Sequence, residues 1–236
     1  MKLRSPARAQ LIGLLRRPET LGQLRRSLGV ETAGRRALIG FVLPLWLGAG
    51  LADWQRHRRT HIEDTSGARE SMIHALMMAE AGIPVTLGLF CEVNAGVLAT
   101  SAGALGVHSL TAYWDVTYAE QRRHVSAGEQ HIHSLLEVVP LMATGFLTVL
   151  YWDQARTLVG RGGWPDLRIR PKQRDPLTAR QRLLVLGAMG LLGALPYAEE
   201  MWRCLRTHRT LKAQPEPEEV PNMSQRIPSD PTPKLV

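Results

Sequence analysis

Uncharged apolar stretches close to the thickness of a lipid bilayer constrain this chain more than any other feature. Runs at about 37–54, 71–90, 93–114, 134–152 and 183–198 are nearly free of charge, and ~17–25 largely apolar residues in a helix cross a ~30 Å hydrocarbon core. Trp and Arg flank several of them, as interfacial anchors do. The pattern predicts an all-α fold, an integral membrane helical bundle of about five transmembrane helices whose first four form a four-helix core. A mean hydropathy of -0.11 conceals this, because Arg-rich ends and connections offset the apolar runs. The first run begins only near Ala37 and is long enough to remain in the membrane, so it predicts an uncleaved anchor rather than a signal peptide.

The formal charge of +8 and pI of 10.2 would suit a nucleic-acid partner in a soluble protein. In a multi-pass protein basic residues gather at cytoplasmic helix ends and near anionic lipid, so the expected partner is the lipid bilayer and no nucleic acid. With the amino terminus inside, 17 Lys and Arg fall on the cytoplasmic side and 12 on the other, which predicts that orientation in a bacterial inner membrane. Cys91 and Cys204 lack any paired spacing and carry no redox argument.

The chain divides accordingly. Residues 1–36 read as a basic amphipathic segment, 37–153 as the four-helix membrane core, 154–181 as a basic connection, 182–204 as the fifth transmembrane helix and 205–236 as a Pro-rich disordered tail. Pro84 predicts a kink in the second span, and a short turn at 92–94 makes the third antiparallel to it. Ala95, Gly96, Ala99, Gly103 and Gly106 mark the third span as the innermost, most crowded helix. Ser126 to Glu129 and Thr178 to Gln181 read as capping boxes.

Chemistry concentrates between residues 53 and 137, in an approximate repeat. Asp53, with His57 one turn on, precedes Glu70-x-x-x-His74; Asp115 precedes Glu129-x-x-x-His133, with Glu137 one turn on. Up-down threading puts the end of spans one and three and the start of spans two and four at one membrane face, periplasmic by the charge count. Residues four or seven apart share a helix face, so Asp53 and His57, Glu70 and His74, His108 and Asp115, and Glu129, His133 and Glu137 each form a stripe. His131 points elsewhere. Ionisable groups inside spans are costly and mark sites or pathways. The metal-ligand set predicted here is Asp53, His57, Glu70, His74, His108, Asp115, Glu129 and His133, with Glu137 a bridging or supporting acid and Glu80, deeper in span two, a proton relay. Arg58, Arg59, Arg122 and Arg123 are expected to hold carboxylates or attract an anion.

This alternation resembles in its logic the ferritin-like diiron-carboxylate four-helix bundles, in which a carboxylate helix precedes a Glu-x-x-His helix and the pair recurs. Here the Glu-to-His spacing is four rather than three, and the leading acids are Asp53 and Asp115 rather than Glu. The likeness, over about 85 residues, implies a divalent transition metal, iron above all and two ions at most, with manganese or zinc as alternatives. It further implies an oxidoreductase working on a lipid-soluble substrate or with a redox partner. A non-catalytic proton or metal-ion carrier, and a membrane assembly or sensory protein, stay open as alternatives. Capping and dipole roles for Glu129 and Glu70, and interfacial ion pairs for Asp53 and Asp115, are the competing structural explanations.

Overall fold

The structure, a computed structural model, describes residues 29–213. Most of the predicted amphipathic segment and the Pro-rich tail lie outside the described residues. Five long helices carry the chain: α1 (Val30–Thr60), α2 (Gly67–Phe90), α3 (Ala95–Glu120), α4 (Ala127–Leu150) and α5 (Ala179–Thr210). No strand occurs among the described residues. Four of the helices, all but α3, are long and apolar enough to cross a membrane, and the chain is a multi-pass membrane protein. At 26 residues, or ~39 Å, α3 runs antiparallel along α2.

Proline explains the two irregular turns. A proline removes an N–H and frees the carbonyl four residues earlier. Pro44 does this to Gly40, inside the π-helical turn Leu38–Val42, and Pro196 does it to Leu192, inside the π-helical turn Met189–Ala194. The wider turn accommodates the lost bond while the helix continues. Pro84 and Pro140 lie within α2 and α4 without any such turn.

The inner helix is α2, not α3. It is the most buried of the four apolar helices and packs on α1, α3, α4 and α5. Gly82 lets α1 approach it closely, since a Cβ there would come within 2.8 Å of the Trp46 ring. By contrast Gly103 and Gly106 of α3 face open space. The third helix is crowded only at its start, where a Cβ on Gly96 would meet the Leu167 backbone at 2.4 Å. There the connection between α4 and α5 folds back: Glu92 N–H donates to the Arg170 carbonyl, Gly96 N–H to the Asp166 carbonyl and Lys172 N–H to the Phe90 carbonyl. Thr178 and Gln181 form the predicted capping box at the start of α5.

Apolar packing fills one end of the bundle, with Leu38, Val42, Val85, Leu89, Val139, Ala143 and Leu147 almost wholly buried. Polar residues fill the other end. The division follows depth, because, Glu80 and His108 apart, the buried acids and histidines of the first four helices lie in the turns nearest the 61–66 and 121–126 connections.

Candidate metal centre

Each functional side chain sits where its helix enters or leaves that polar end. Asp53 and His57 lie near the end of α1, Glu70 and His74 in the first turns of α2, Asp115 near the end of α3, and Glu129 and His133 in the first turns of α4; all are buried. Ring nitrogens of His57, His74 and His133 lie within 4.8 Å of one another. The same spacing joins ligand atoms of His57, Glu70 and Glu129, and of Glu70, His74 and Asp115. These buried His, Glu and Asp groups could hold a metal ion.

The repeat is visible in the pairing, which is crosswise. His74 Nε2 lies 3.1 Å from Asp115 Oδ1, and His133 Nε2 lies 3.1 Å from Asp53 Oδ1, so each Asp meets the His of the other half. Glu70 and Glu129 converge on the guanidinium of Arg123. Burial opposes that charge, but the two carboxylates outweigh it and hold the Arg123 pKa above its ordinary value. His57 and His74 stack with ring centroids 4.5 Å apart.

The fifth helix completes the cluster, contrary to the expectation of a peripheral span. Glu200 Oε2 lies 3.0 Å from His57 Nδ1, and Glu200 Oε1 lies 3.5 Å from His74 Nδ1. Tyr197 donates its hydroxyl to Asp53 Oδ2 at 3.2 Å, with the Gly50 carbonyl at 3.3 Å. The available signal was the spacing of Tyr197, Glu200 and Cys204, which places all three on one buried face.

One carboxylate on both Nδ1 atoms turns the Nε2 atoms of His57 and His74 toward the centre, as a carboxylate behind a metal-bound imidazole does. Those two Nε2 atoms lie beside carboxylates, His74 Nε2 near Asp115 Oδ1 and His57 Nε2 3.4 Å from Glu129 Oε1 and 3.5 Å from Asp53 Oδ1, without the angles of a hydrogen bond. Buried polar atoms held close without aligned hydrogen bonds are expensive, and their grouping here fits a set of metal-ligating atoms.

Several predicted residues stand elsewhere. His108 does not join the groups of converging ligand atoms; it lies about two turns deeper, with Nδ1 3.5 Å from Glu80 Oε2. It shares a helix face with Asp115 but not its depth. Glu80 also accepts a hydrogen bond from the Thr111 hydroxyl at 3.0 Å. Between this pair and the cluster is a chamber of about 20 Å³, lined by His108 and Met77 on one side and His74, Asp115 and His133 on the other. It has room for about one water molecule.

Glu137 is exposed and makes no bridge. One turn beyond His133 the inward position of α4 is taken by Leu136, then Val139, because a four-residue step advances ~40° around the helix. Exposed His131 stays outside, as expected. Ser126 accepts a hydrogen bond from Glu129 N–H, but the Glu129 carboxylate turns to Arg123 instead of closing a capping box. Of the other arginines, Arg58 lies over the Trp54 ring and Arg122 over the Tyr118 ring. His61, Glu63 and Asp64 form a more exposed group, in which Glu63 is paired with Arg203.

Comparison with family models, with curated proteins and with solved structures gave no match.

Proposed function

We propose that the chain is a membrane-embedded, metal-dependent oxidoreductase whose centre holds two iron-class ions. The observation that carries this reading is the convergence of buried imidazoles and carboxylates from five helices, among them His57, Glu70, His74, Asp115, Glu129 and Glu200, at one end of the bundle. Charge supports two ions. Asp53, Glu70, Asp115, Glu129 and Glu200 face one guanidinium, Arg123, which leaves four negative charges, the charge two divalent ions would balance. Protonated imidazoles could offset the same carboxylates, since His74 Nε2 lies 3.1 Å from Asp115 Oδ1 and His57 Nε2 3.4 Å from Glu129 Oε1, and metal analysis distinguishes the two.

Mixed imidazole and carboxylate donors suit iron, manganese and zinc; iron-class ions there would supply electron transfer or dioxygen activation. The protein's own part is to hold the donors. Glu200 orients two imidazoles, Arg123 keeps Glu70 and Glu129 from repelling each other, Tyr197 fixes Asp53, and the small chamber admits only a water-sized molecule. A lipid-soluble substrate or redox partner fits a centre within a bilayer, and the basic excess on the amino-terminal side supports a bacterial inner membrane with that terminus in the cytoplasm.

Metal analysis of the detergent-purified full chain tests the reading. About two equivalents of a redox-active transition metal are expected, lost in Glu70→Ala with His74→Ala. A folded sample without stoichiometric metal would sink it. Bound metal that reductant and air leave spectroscopically unchanged would instead favour a metal-ion carrier.

A further inference from the structure

The outer seam between α3 and α4 carries two adjoining hollows. The upper, about 200 Å³, is bordered by Gln130, His133, Ser134 and Glu137 of α4 and by Val116 and Ala119 of α3. The lower, about 520 Å³, shares Val116 and Glu137 and continues past Leu105, Ala112, Val138 and Leu141. Together they make one furrow, polar at the end of α4 that belongs to the metal centre and largely carbon-lined deeper in the bundle. From Gln130 to Leu141 it follows α4 for ~16 Å.

His133 joins the furrow to the cluster. One edge of its ring borders the upper hollow, and its Nε2 faces Asp53. Ala119 helps to make room there. Four residues after Asp115, it occupies the position that His57 occupies after Asp53, so a methyl group stands where the other half of the repeat has an imidazole. The polar end offers an amide, a hydroxyl and the exposed Glu137 carboxylate. No Lys or Arg lines either hollow, and Glu137 together with the carboxylate-rich cluster disfavours an anion.

We propose that the α3–α4 furrow binds a single-chain amphiphile, its hydrogen-bonding, non-anionic head beside His133, Gln130, Ser134 and Glu137 and its hydrocarbon chain along Leu105, Val138 and Leu141. This deepens the oxidoreductase reading, resting on it for what happens to the head but not for binding. A carbon-lined hollow in a bilayer favours hydrocarbon over water, while the polar end gives a head group partners that lipid tails lack. An anionic phospholipid meets no basic residue in the furrow. The comparable groove of about 510 Å³ beside Trp46, Met189 and Gly193 is lined almost wholly by carbon, and its Tyr197 hydroxyl is turned inward to Asp53, so it offers nothing to select a head.

The test is photolabelling of the full chain in nanodiscs with a long-chain alcohol carrying a mid-chain diazirine, followed by peptide mapping. Labels should concentrate on residues 105–116 and 134–141. Unlabelled dodecanol should compete, and dodecanoate should compete about ten-fold less well. Val116→Trp should cut labelling about ten-fold, and Glu137→Leu, at an exposed position, should erase the preference for alcohol over carboxylate even if Val116→Trp fails to fold. Labelling centred on residues 189–198, equal competition by dodecanoate, or an unchanged preference in Glu137→Leu overturns the proposal. The same labelling, set beside metal content, separates the two readings. A chain that purifies folded without metal yet labels the furrow refutes the metal centre alone, whereas a metal-loaded chain that does not label there refutes the furrow alone.

Discussion

In the first half of the repeat Asp53 is followed one turn later by His57; in the second, Asp115 is followed by Ala119. The fifth helix reinforces the same asymmetry, because Glu200 reaches His57 and His74, both of the first half, and its Tyr197 reaches Asp53. The shared Asp, Glu and His frame is thus matched across the halves, with crosswise Asp–His pairs and a common Arg123. The additions fall on one side only. That side has its imidazoles stacked and held from behind, while the other leaves His133 at the edge of a furrow. A repeated frame with one-sided additions gives a centre that is fixed on one flank and approachable on the other.

The largest effect expected on this comparison is from Arg123→Ala, which removes the cation shared by both halves and leaves two buried carboxylates without it. Breaking a buried ion pair this way costs about 3–5 kcal/mol, readable as a lower midpoint in denaturing-detergent titration of metal-free protein. Added metal should restore part of the loss by binding the folded state. An equal loss in Arg122→Ala, whose guanidinium lies over Tyr118, would argue against a shared frame.

Next in size, His57→Ala should weaken metal binding more than about 100-fold in competition with a chelator, beyond the usual effect of a supporting group. His133→Ala should weaken it less, and equal effects would break the distinction between the fixed and the open flank. Glu200→Gln keeps the shape but loses the charge behind two imidazoles, so about 10–100-fold weaker binding is expected. Wild-type affinity in that variant would show that the rings need no carboxylate behind them. Smallest of all, His131→Ala, exposed beside the cluster's helix turn, should change stability by no more than about 0.5 kcal/mol and leave metal content intact.

Much of this was legible in the chain. Apolar runs of membrane length give the bundle, and polar residues inside or just beyond the ends of those runs give Asp53, Glu70, His74, Asp115, Glu129 and His133, since the repeat and up-down threading bring them to one end. What could not be read were rotations and depths. His108 shares a face with Asp115 yet lies too deep to join the cluster, and Glu137 shares a stripe with His133 yet has turned outward. Glu200 lacks a counterpart in the repeat and, beside Glu199 near a helix end, has the look of an interfacial charge. Small residues in α3 suggested a crowded helix, but Gly103 and Gly106 face outward and α2 holds the centre.

Asn94, which caps α3, and Ser101, His108 and Asp115 within it are buried polar residues seven apart, with Thr111 on the same side. Such a stripe allows the helix one azimuth against α2, because turning it would present these groups to lipid. It also bears on biogenesis. The helix α2 is apolar enough to cross a membrane and is joined to α3 by only the short stretch 91–94. So short a link suits insertion of the two as a helical hairpin, which would bring Glu80, His108 and Thr111 together during insertion rather than after it.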